Sequence, residues 1–240
     1  MQVDLEDRHV IVTGGAGGLG SAVVELLLDN GAKCSVPCFN EDELQAFEHK
    51  DHPNVFTHTP VDLTREGQSQ SFYEAAVEAH GDLWASIHIV GGFGMGSIED
   101  TPLADFNKQF QLNTVTCYNS CRSAINWMRE SDYTGGRIVN IASRPGIEPR
   151  QGKGMTAYTV AKAGVAALTE GLAAEVVGDD ILVNAIAPSI IDTTANRDAM
   201  PDANYGKWPK PAQLASQIAY LVSPENEVTR GGIVPVYGKS

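Results

Sequence analysis

The sequence predicts an α/β fold in which a doubly wound parallel sheet of about seven strands carries helices on both faces. Short apolar segments of β type alternate with longer helical segments along all 240 residues. Such alternation is typical of right-handed crossovers, which place parallel strands side by side with helices above and below them. A chain of this length can bury a substantial core as one unit. Since it shows no repeat, linker or low-complexity tract, we expect residues 1–240 to form a single domain.

Each element is assigned from its local pattern. Apolar β-type runs predict strands near residues 9–13, 33–38, 54–59, 83–90, 137–143, 181–187 and 232–236. Helical spacing and end signals predict helices near residues 18–29, 41–48, 66–80, 102–129, 156–177 and 211–222. Residues 189–211 follow a strand and are rich in Asp, Asn and Pro, so we expect a lid at the carboxyl edge of the sheet. Met200, Tyr205 and Trp208 either cover a substrate there or pack as an ordinary loop.

A glycine-rich turn joins the first strand to the first helix. The segment Thr-Gly-Gly-Ala-Gly-Gly-Leu-Gly at residues 13–20 follows an apolar run and precedes an apolar helix that ends at Asn30-Gly31. Glycines in this context let the backbone approach a pyrophosphate, which free N–H groups at the helix N-terminus attract. The context is Rossmann-type, and it predicts a dinucleotide site whose members are Gly14, Ala16, Gly18, Leu19 and Gly20.

Tyr158 and Lys162 are four residues apart on a predicted helix, so their side chains share one face. A free phenol has a pKa of about 10, and an adjacent cation favours the phenolate. We therefore expect Lys162 to lower the pKa of Tyr158 and make the phenol a general acid and base for an alcohol or a carbonyl.

Taken together, the two motifs resemble the short-chain dehydrogenase/reductase family. The resembling pattern is Thr-Gly-x-x-x-Gly-x-Gly at residues 13–20 and Tyr-x-x-x-Lys at residues 158–162, and the likeness runs through almost the whole chain. Further matching segments are Val61–Leu63, Gln111–Thr114, Gly136–Ser143 and Asn184–Pro188. The resemblance implies an oxidoreductase that transfers hydride between a nicotinamide cofactor and a small molecule.

The same resemblance implies a catalytic tetrad of Asn113, Ser143, Tyr158 and Lys162. Ser143 would hydrogen-bond the substrate oxygen, Lys162 would bind the nicotinamide ribose, and Asn113 would hold a water that links Lys162 to solvent. Hydrogen-bonding groups of this kind stabilise charge that develops in a dry cleft.

Cofactor contacts are also implied by the resemblance. Asp62 and Leu63 match the segment that meets the adenine, and Pro188, Ile191 and Thr193 match the loop that holds the nicotinamide amide. Val90 and Gly91 stand where the family has Asn-Asn-Ala-Gly after the fourth strand, so ribose contacts there would use the backbone. The family pairs the helices near residues 102–129 and 156–177 between subunits, which implies a homodimer or homotetramer.

The choice between NAD and NADP depends on the residue that ends the second strand. That residue is Cys38, which is neither the acid that holds the ribose hydroxyls of NAD nor an Arg for the phosphate of NADP. Acidic residues follow at Glu41, Asp42 and Glu43, and the glycine turn has no basic residue. The charges favour NAD over NADP.

Composition excludes several classes of function. The formal net charge is −13, which argues against nucleic acid and anionic membranes as partners. No apolar run approaches the ~20 residues of a membrane span, and the acidic N-terminus lacks a signal-peptide pattern, so we expect a cytoplasmic protein. The four cysteines, at positions 34, 38, 117 and 121, form no Cys-x-x-Cys pair, and we expect them to be buried apolar residues with no metal site.

The first hypothesis for the function is an NAD(P)-dependent enzyme that interconverts an alcohol and a carbonyl on a small-molecule substrate. Two alternatives stay open. One is a non-catalytic dinucleotide-binding redox sensor, which the loss of both Asn before Gly91 would allow. The other is a reductase of a C=C or C=N bond, against which Ser143 argues because it suits a carbonyl oxygen.

Overall fold

The computed structural model describes residues 3–133 and 135–240; Met1, Gln2 and Thr134 lie outside the described residues. Seven strands form one sheet: β1 (His9–Thr13), β2 (Lys33–Pro37), β3 (Val55–His58), β4 (Leu83–His88), β5 (Gly136–Ile141), β6 (Ile181–Pro188) and β7 (Ile233–Val236). Their spatial order is β3-β2-β1-β4-β5-β6-β7. Every pairing is parallel, which confirms the predicted doubly wound sheet.

Nine α-helices connect the strands within the described residues. They are α1 (Gly18–Asp29), α2 (Glu41–Ala46), α3 (Glu66–His80), α4 (Leu103–Phe110), α5 (Thr116–Glu130), α6 (Arg144–Ile147), α7 (Thr156–Glu175), α8 (Thr194–Ala199) and α9 (Pro211–Val222). No helix in this part of the chain is both long and apolar enough to cross a bilayer.

The core divides into two layers, one on each face of the sheet. Val10 and Val12 of β1 point into the layer shared with α1 and α9, whereas Ile11 between them belongs to the layer shared with α3, α5 and α7. Successive side chains of a strand point to opposite faces, and both faces are apolar because both are covered. The central strands β1, β4, β5 and β6 are buried along their whole length.

The helix predicted over residues 102–129 is one continuous helical rod with a change of winding. A π-helical turn, Gln111–Val115, lies between α4 and α5. Such turns add a residue to the winding and re-aim the side chains on it, often at functional sites. Here the turn carries Asn113.

Two short helices lie where the sequence predicts strand end or loop. The predicted strand 137–143 ends at Ile141, and Ser143 instead caps α6, because its hydroxyl accepts the N–H of Gly146 at 3.2 Å. Thr193 caps α8 in the same way through the N–H of Asn196 at 3.3 Å. In both places a side-chain cap, which is a local signal, starts a helix too short to show a hydrophobic period.

Candidate active site

The glycine turn between β1 and α1 leaves room only for a backbone. Gly14 has φ +70°, and a side chain there would meet the backbone N of Val90 at 2.9 Å. A Cβ on buried Gly20 would collide with the carbonyl of Gly14, so the helix start packs directly on the turn. Leu19 and Ala16 pack into the core and so anchor the turn to it. These features fit a pyrophosphate at the N-terminus of α1.

The loop after β6 reaches back to this turn. A Cβ on Gly18 would touch the Thr193 side chain at 3.3 Å, so Thr193 faces the first residue of α1. Ile191 packs against the core, and Pro188 ends β6. The structure thus brings the predicted nicotinamide-amide residues beside the predicted pyrophosphate turn.

A cavity of about 330 Å³ lies beyond the turn, at the carboxyl ends of β2 and β4. Asp62, Leu63 and Val90 line it, as the resemblance implies for an adenosine site. Its remaining walls include Pro37, Phe39, Glu43, Val61, Thr64, Lys108, Gln111, Leu112 and Thr116. The walls are mainly apolar, which suits a flat aromatic base.

Cys38 does not line this cavity. Its side chain is fully buried in the core, and its backbone N–H and carbonyl are taken by His58 and Val61. Glu43 lines the wall in its place, and its carboxylate accepts the N–H of Phe39 at 2.6 Å. In the sequence Glu43 is only one of three consecutive acidic residues. The first turn of α2 places Glu43, rather than the other two, on the wall of the cavity.

Asn113 and Lys162 meet around the loop after β4. The Asn113 amide accepts the N–H of Gly92 at 3.1 Å and donates to the Gly92 carbonyl at 2.9 Å. A Cβ on Gly91 would lie 2.6 Å from Asn113 Oδ1 and 3.3 Å from Lys162 Nζ, so Gly91 separates the two polar groups by the width of a backbone. Gly92 is a partner that the sequence does not reveal.

Ser143 and Tyr158 form the other half of the predicted tetrad. The Ser143 hydroxyl interacts with the Tyr158 phenol, and this contact favours the phenolate. The Tyr158 ring packs edge-on against Phe93, with 5.1 Å between ring centroids. Phe93 is a neighbour that sequence spacing does not predict, because it lies on the loop after β4.

The predicted effect of Lys162 on Tyr158 is not what the structure shows. Burial raises the pKa of Tyr158 above its ordinary value, and the Ser143 hydroxyl only partly opposes that rise. Lys162 does not lower it, since its Nζ donates instead to the carbonyl of Ile141 at 2.7 Å. Loss of hydration therefore outweighs the neighbouring cation, and the phenol is protonated at neutral pH.

Burial lowers the pKa of Lys162 to about 8, with a small opposing effect from Cys117. A buried ammonium loses hydration that a single carbonyl does not replace. The amine therefore exchanges its proton close to neutral pH.

A second cavity, of about 390 Å³, is lined by Phe93, whose ring packs on Tyr158. Its walls include Phe93, Met95, Met155 and Ala157, which are apolar, together with Asp100, Asp105 and Lys108. Lys108 and Leu112 also line the first cavity, so these two side chains stand between the two spaces. A volume of this size suits a small organic molecule.

The segment predicted as a lid is folded onto itself. Trp208 is buried and packs on Tyr205, whose hydroxyl donates to the carbonyl of Pro201 at 2.8 Å. Arg197 donates to both oxygens of Asp192, at 2.6 and 2.9 Å.

Comparison with known proteins gives consistent results. The family model described as short chain dehydrogenase matches residues 8–204. An uncharacterised oxidoreductase of Staphylococcus aureus is 27% identical over 94% of this chain and 97% of its own. The 3-oxoacyl-[acyl-carrier-protein] reductase of Chlamydia pneumoniae is 27% identical over 97% of this chain and 99% of its own.

Solved structures agree with these sequence matches. Levodione reductase superposes with a TM-score of 0.86 at 26% identity, covering 98% of this chain and 97% of its own. A short-chain dehydrogenase/reductase of Serratia marcescens gives a TM-score of 0.88 at 25% identity, covering 98% of each chain.

Proposed function

The chain belongs to the short-chain dehydrogenase/reductase family, and from that premise we propose that it interconverts a carbonyl and an alcohol on a small molecule, with Tyr158 as the acid and base. Members of this family are NAD(P)-dependent oxidoreductases, and the chain is an enzyme of this type. The observation that carries the proposal is the buried Tyr158 phenol, which has Ser143 as its polar neighbour and packs on Phe93, a residue that lines the second cavity.

In this reaction the bound nicotinamide supplies or accepts the hydride. Tyr158 handles the accompanying proton at its Oη. Because burial keeps the phenol protonated, it is set to donate when a carbonyl becomes an alkoxide. Ser143 accepts the Gly146 N–H through its oxygen, so its own proton remains a donor for Tyr158 or for a substrate oxygen.

Lys162 restores the proton that Tyr158 gives up. An amine with a pKa of about 8 both holds and releases a proton near neutral pH. Asn113 fixes the Gly92 backbone and so positions the loop after β4 that lies beside Lys162. The ammonium would also bind the ribose hydroxyls.

Two features support a carbonyl substrate over a C=C or C=N bond. Two of the four relatives named above are called reductases of a 3-oxoacyl group and of levodione. Ser143 offers a hydroxyl donor, which an oxygen that gains negative charge accepts. Segment 189–211 follows the carboxyl end of β6, and we assign it the covering of the substrate.

Replacing Tyr158 by Phe tests the proposal. The variant keeps the ring that packs on Phe93 but loses the proton that the reaction needs. We expect turnover of ketones or alcohols to fall by roughly 10²–10⁴-fold while dinucleotide binding is unchanged. The measurements are nicotinamide absorbance for turnover, over a panel that includes imines and activated alkenes, and fluorescence titration for binding.

Ser143→Ala in the same assay separates the substrate classes. A selective loss on ketones supports the carbonyl assignment, whereas equal loss on all three classes contradicts it. Undiminished turnover by Tyr158→Phe would overturn the acid/base role.

We further propose that the cofactor is NAD. Glu43 places a carboxylate on the wall of the first cavity at the end of β2, where the second ribose hydroxyl of the adenosine would lie. A 2′-phosphate carries close to two negative charges, and the carboxylate repels it.

The prediction for Glu43→Gln is a fall of about tenfold or more in the preference for NADH over NADPH. The amide keeps the size and the contact to Phe39 but loses the charge. Glu41→Gln is the matched control, because Glu41 is an exposed acid on the same helix that contacts Gln45 and does not line the cavity. The ratio of the two dissociation constants is the readout, and an identical ratio in wild type and Glu43→Gln contradicts the proposal.

A further inference from the structure

A cluster of potential metal ligands lies in the interior, apart from the two cavities. His88 ends β4, and Cys117 and Cys121 stand one turn apart on α5. The ligand atoms of these three side chains all lie within 4.8 Å of one another. All three residues are buried, with 4% or less of their surface exposed. Sequence spacing does not predict this cluster, because the histidine comes from a different element.

The imidazole of His88 is oriented by partners on its far side. Its Nε2 lies 2.9 Å from Ser86 Oγ and 3.3 Å from the Tyr73 hydroxyl, while Nδ1 faces the two sulfurs. A metal-bound histidine almost always donates its second ring N–H to a fixed acceptor, which sets the tautomer. In the metal-free protein Nδ1–H donates to Asn140 Oδ1 at 2.8 Å, and metal binding at Nδ1 moves the ring proton to Nε2, for which Ser86 and Tyr73 are such acceptors.

Asn140 of β5 supplies a fourth ligand atom. Its Oδ1 lies 2.8 Å from His88 Nδ1 and 3.5 Å from Cys121 Sγ. The amide cannot turn the other way, because its Nδ2 donates to Thr169 Oγ1 at 2.9 Å and that hydroxyl in turn donates to the carbonyl of Val165. The oxygen is therefore held toward the sulfurs and the imidazole.

We propose that His88, Cys117, Cys121 and Asn140 form a structural Zn²⁺ site. In a tetrahedral zinc centre a sulfur and a nitrogen or oxygen ligand lie about 3.5 Å apart, given their bond lengths of about 2.3 and 2.0 Å. Cys121 Sγ is 3.4 Å from His88 Nδ1 and 3.5 Å from Asn140 Oδ1. The nitrogen and the oxygen are closer together than in such a centre and separate by about 0.5 Å on binding.

The charge of the set also selects a divalent ion. Loading exchanges the two thiol protons for the ion, with His88 Nδ1 unprotonated, so two thiolates balance Zn²⁺ and the interior gains no net charge. An unbalanced buried charge would be costly. Sulfur and imidazole ligands suit zinc rather than magnesium or calcium. The ion would join β4, β5 and α5, one turn beyond Asn113.

Metal content decides the proposal. The full chain is produced in zinc-supplemented medium, gel-filtered in reducing buffer and analysed for metal. We expect about one zinc per chain in the wild type and a loss of at least tenfold in Cys121→Ser and in His88→Asn. Cys34→Ser is the matched control, because Cys34 is an equally buried cysteine on β2 outside the cluster, and it keeps the metal.

Cobalt keeps the test decisive if the variants fail to fold. Wild type produced with Co²⁺ shows the visible bands of a tetrahedral centre and the near-ultraviolet bands of sulfur ligation. Wild type without zinc or cobalt overturns the proposal and leaves the four residues as a hydrogen-bonded network. If Cys121→Ser retains its zinc, the ion is bound elsewhere and the proposal is wrong. A Cys117–Cys121 disulfide, detected by mass spectrometry of the isolated protein, would also overturn the proposal.

Discussion

At the scale of single residues, the site combines a buried phenol with a buried amine whose pKa values burial shifts in opposite directions. Burial raises the pKa of Tyr158 and lowers that of Lys162 to about 8. Loss of hydration disfavours the charged form of each group, which is the phenolate in one case and the ammonium in the other. Tyr158 is therefore a neutral phenol that carries its proton, and this is the form that carbonyl reduction needs.

Burial of Lys162 therefore lowers the free energy of unfolding, although the reaction requires this residue. Its pKa is 10.5 when exposed and about 8 when folded, so the unfolded chain binds the proton more tightly between these values. The cost is about 3 kcal/mol below pH 8, shrinks as the pH rises from 8 to 10.5 and vanishes above that range.

We expect Lys162→Met to raise the free energy of unfolding of the cofactor-free protein at pH 7 while turnover is lost. The gain over wild type should fade by about pH 10, as urea unfolding at both pH values will show. Lys153→Met, a change at an exposed lysine, should give no such pH-dependent difference. A destabilised Lys162→Met protein at pH 7 would contradict the prediction.

At the scale of elements, a buried histidine ties the first strand to two neighbours. His9 Nδ1 donates to the carbonyl of Gly81 after α3 at 2.8 Å, and Nε2 accepts from Ser35 of β2 at 2.8 Å. The neutral ring makes both bonds. Burial is the main cause that lowers the pKa of His9 from 6.5 to about 4.

The consequence is a defined loss of stability in acid. Between pH 6.5 and 4 the unfolded chain takes up a proton at His9 that the folded chain refuses, so the free energy of unfolding falls as the pH drops. We expect His9→Gln to be less stable at pH 7 but to show a flatter decline between pH 6.5 and 4, in urea titrations. His52→Gln is the exposed control, and an unchanged slope in His9→Gln would show that other groups cause the decline.

At the scale of the whole molecule, apolar side chains remain exposed on the two helices that the family pairs between subunits. Tyr118 of α5 is 53% exposed and Val160 of α7 is 42% exposed, in a chain with a net charge of −13. These exposed side chains fit the helix pairing between subunits that the family resemblance implies. We propose a homodimer or homotetramer assembled through α5 and α7.

Tyr118→Glu should shift this assembly to monomers, because two carboxylates would meet across the symmetry axis or be buried. Light scattering after gel filtration gives the mass directly. Val228→Glu makes the same chemical change at a side chain that is 85% exposed outside these helices, and it should leave the mass unchanged. A monomeric wild type would refute the assembly.

The sequence by itself determined the fold class, the order of the strands and longer helices along the chain, the glycine turn and the Tyr158–Lys162 pair. These follow from short-range features, namely alternation, spacing along one helix, and glycines where no side chain fits. The resemblance carried over Asn113 and Ser143 because each stands in a recognisable local segment.

Only the tertiary structure decided how those groups behave. It placed Glu43 rather than Cys38 at the first cavity, wound the helix around Asn113 into a π turn, and aimed Lys162 at the Ile141 carbonyl. It also joined His88 to Cys117 and Cys121 across two elements. Burial, hydration and contact between segments far apart in the chain set each of these outcomes, and no local pattern in the sequence encodes them.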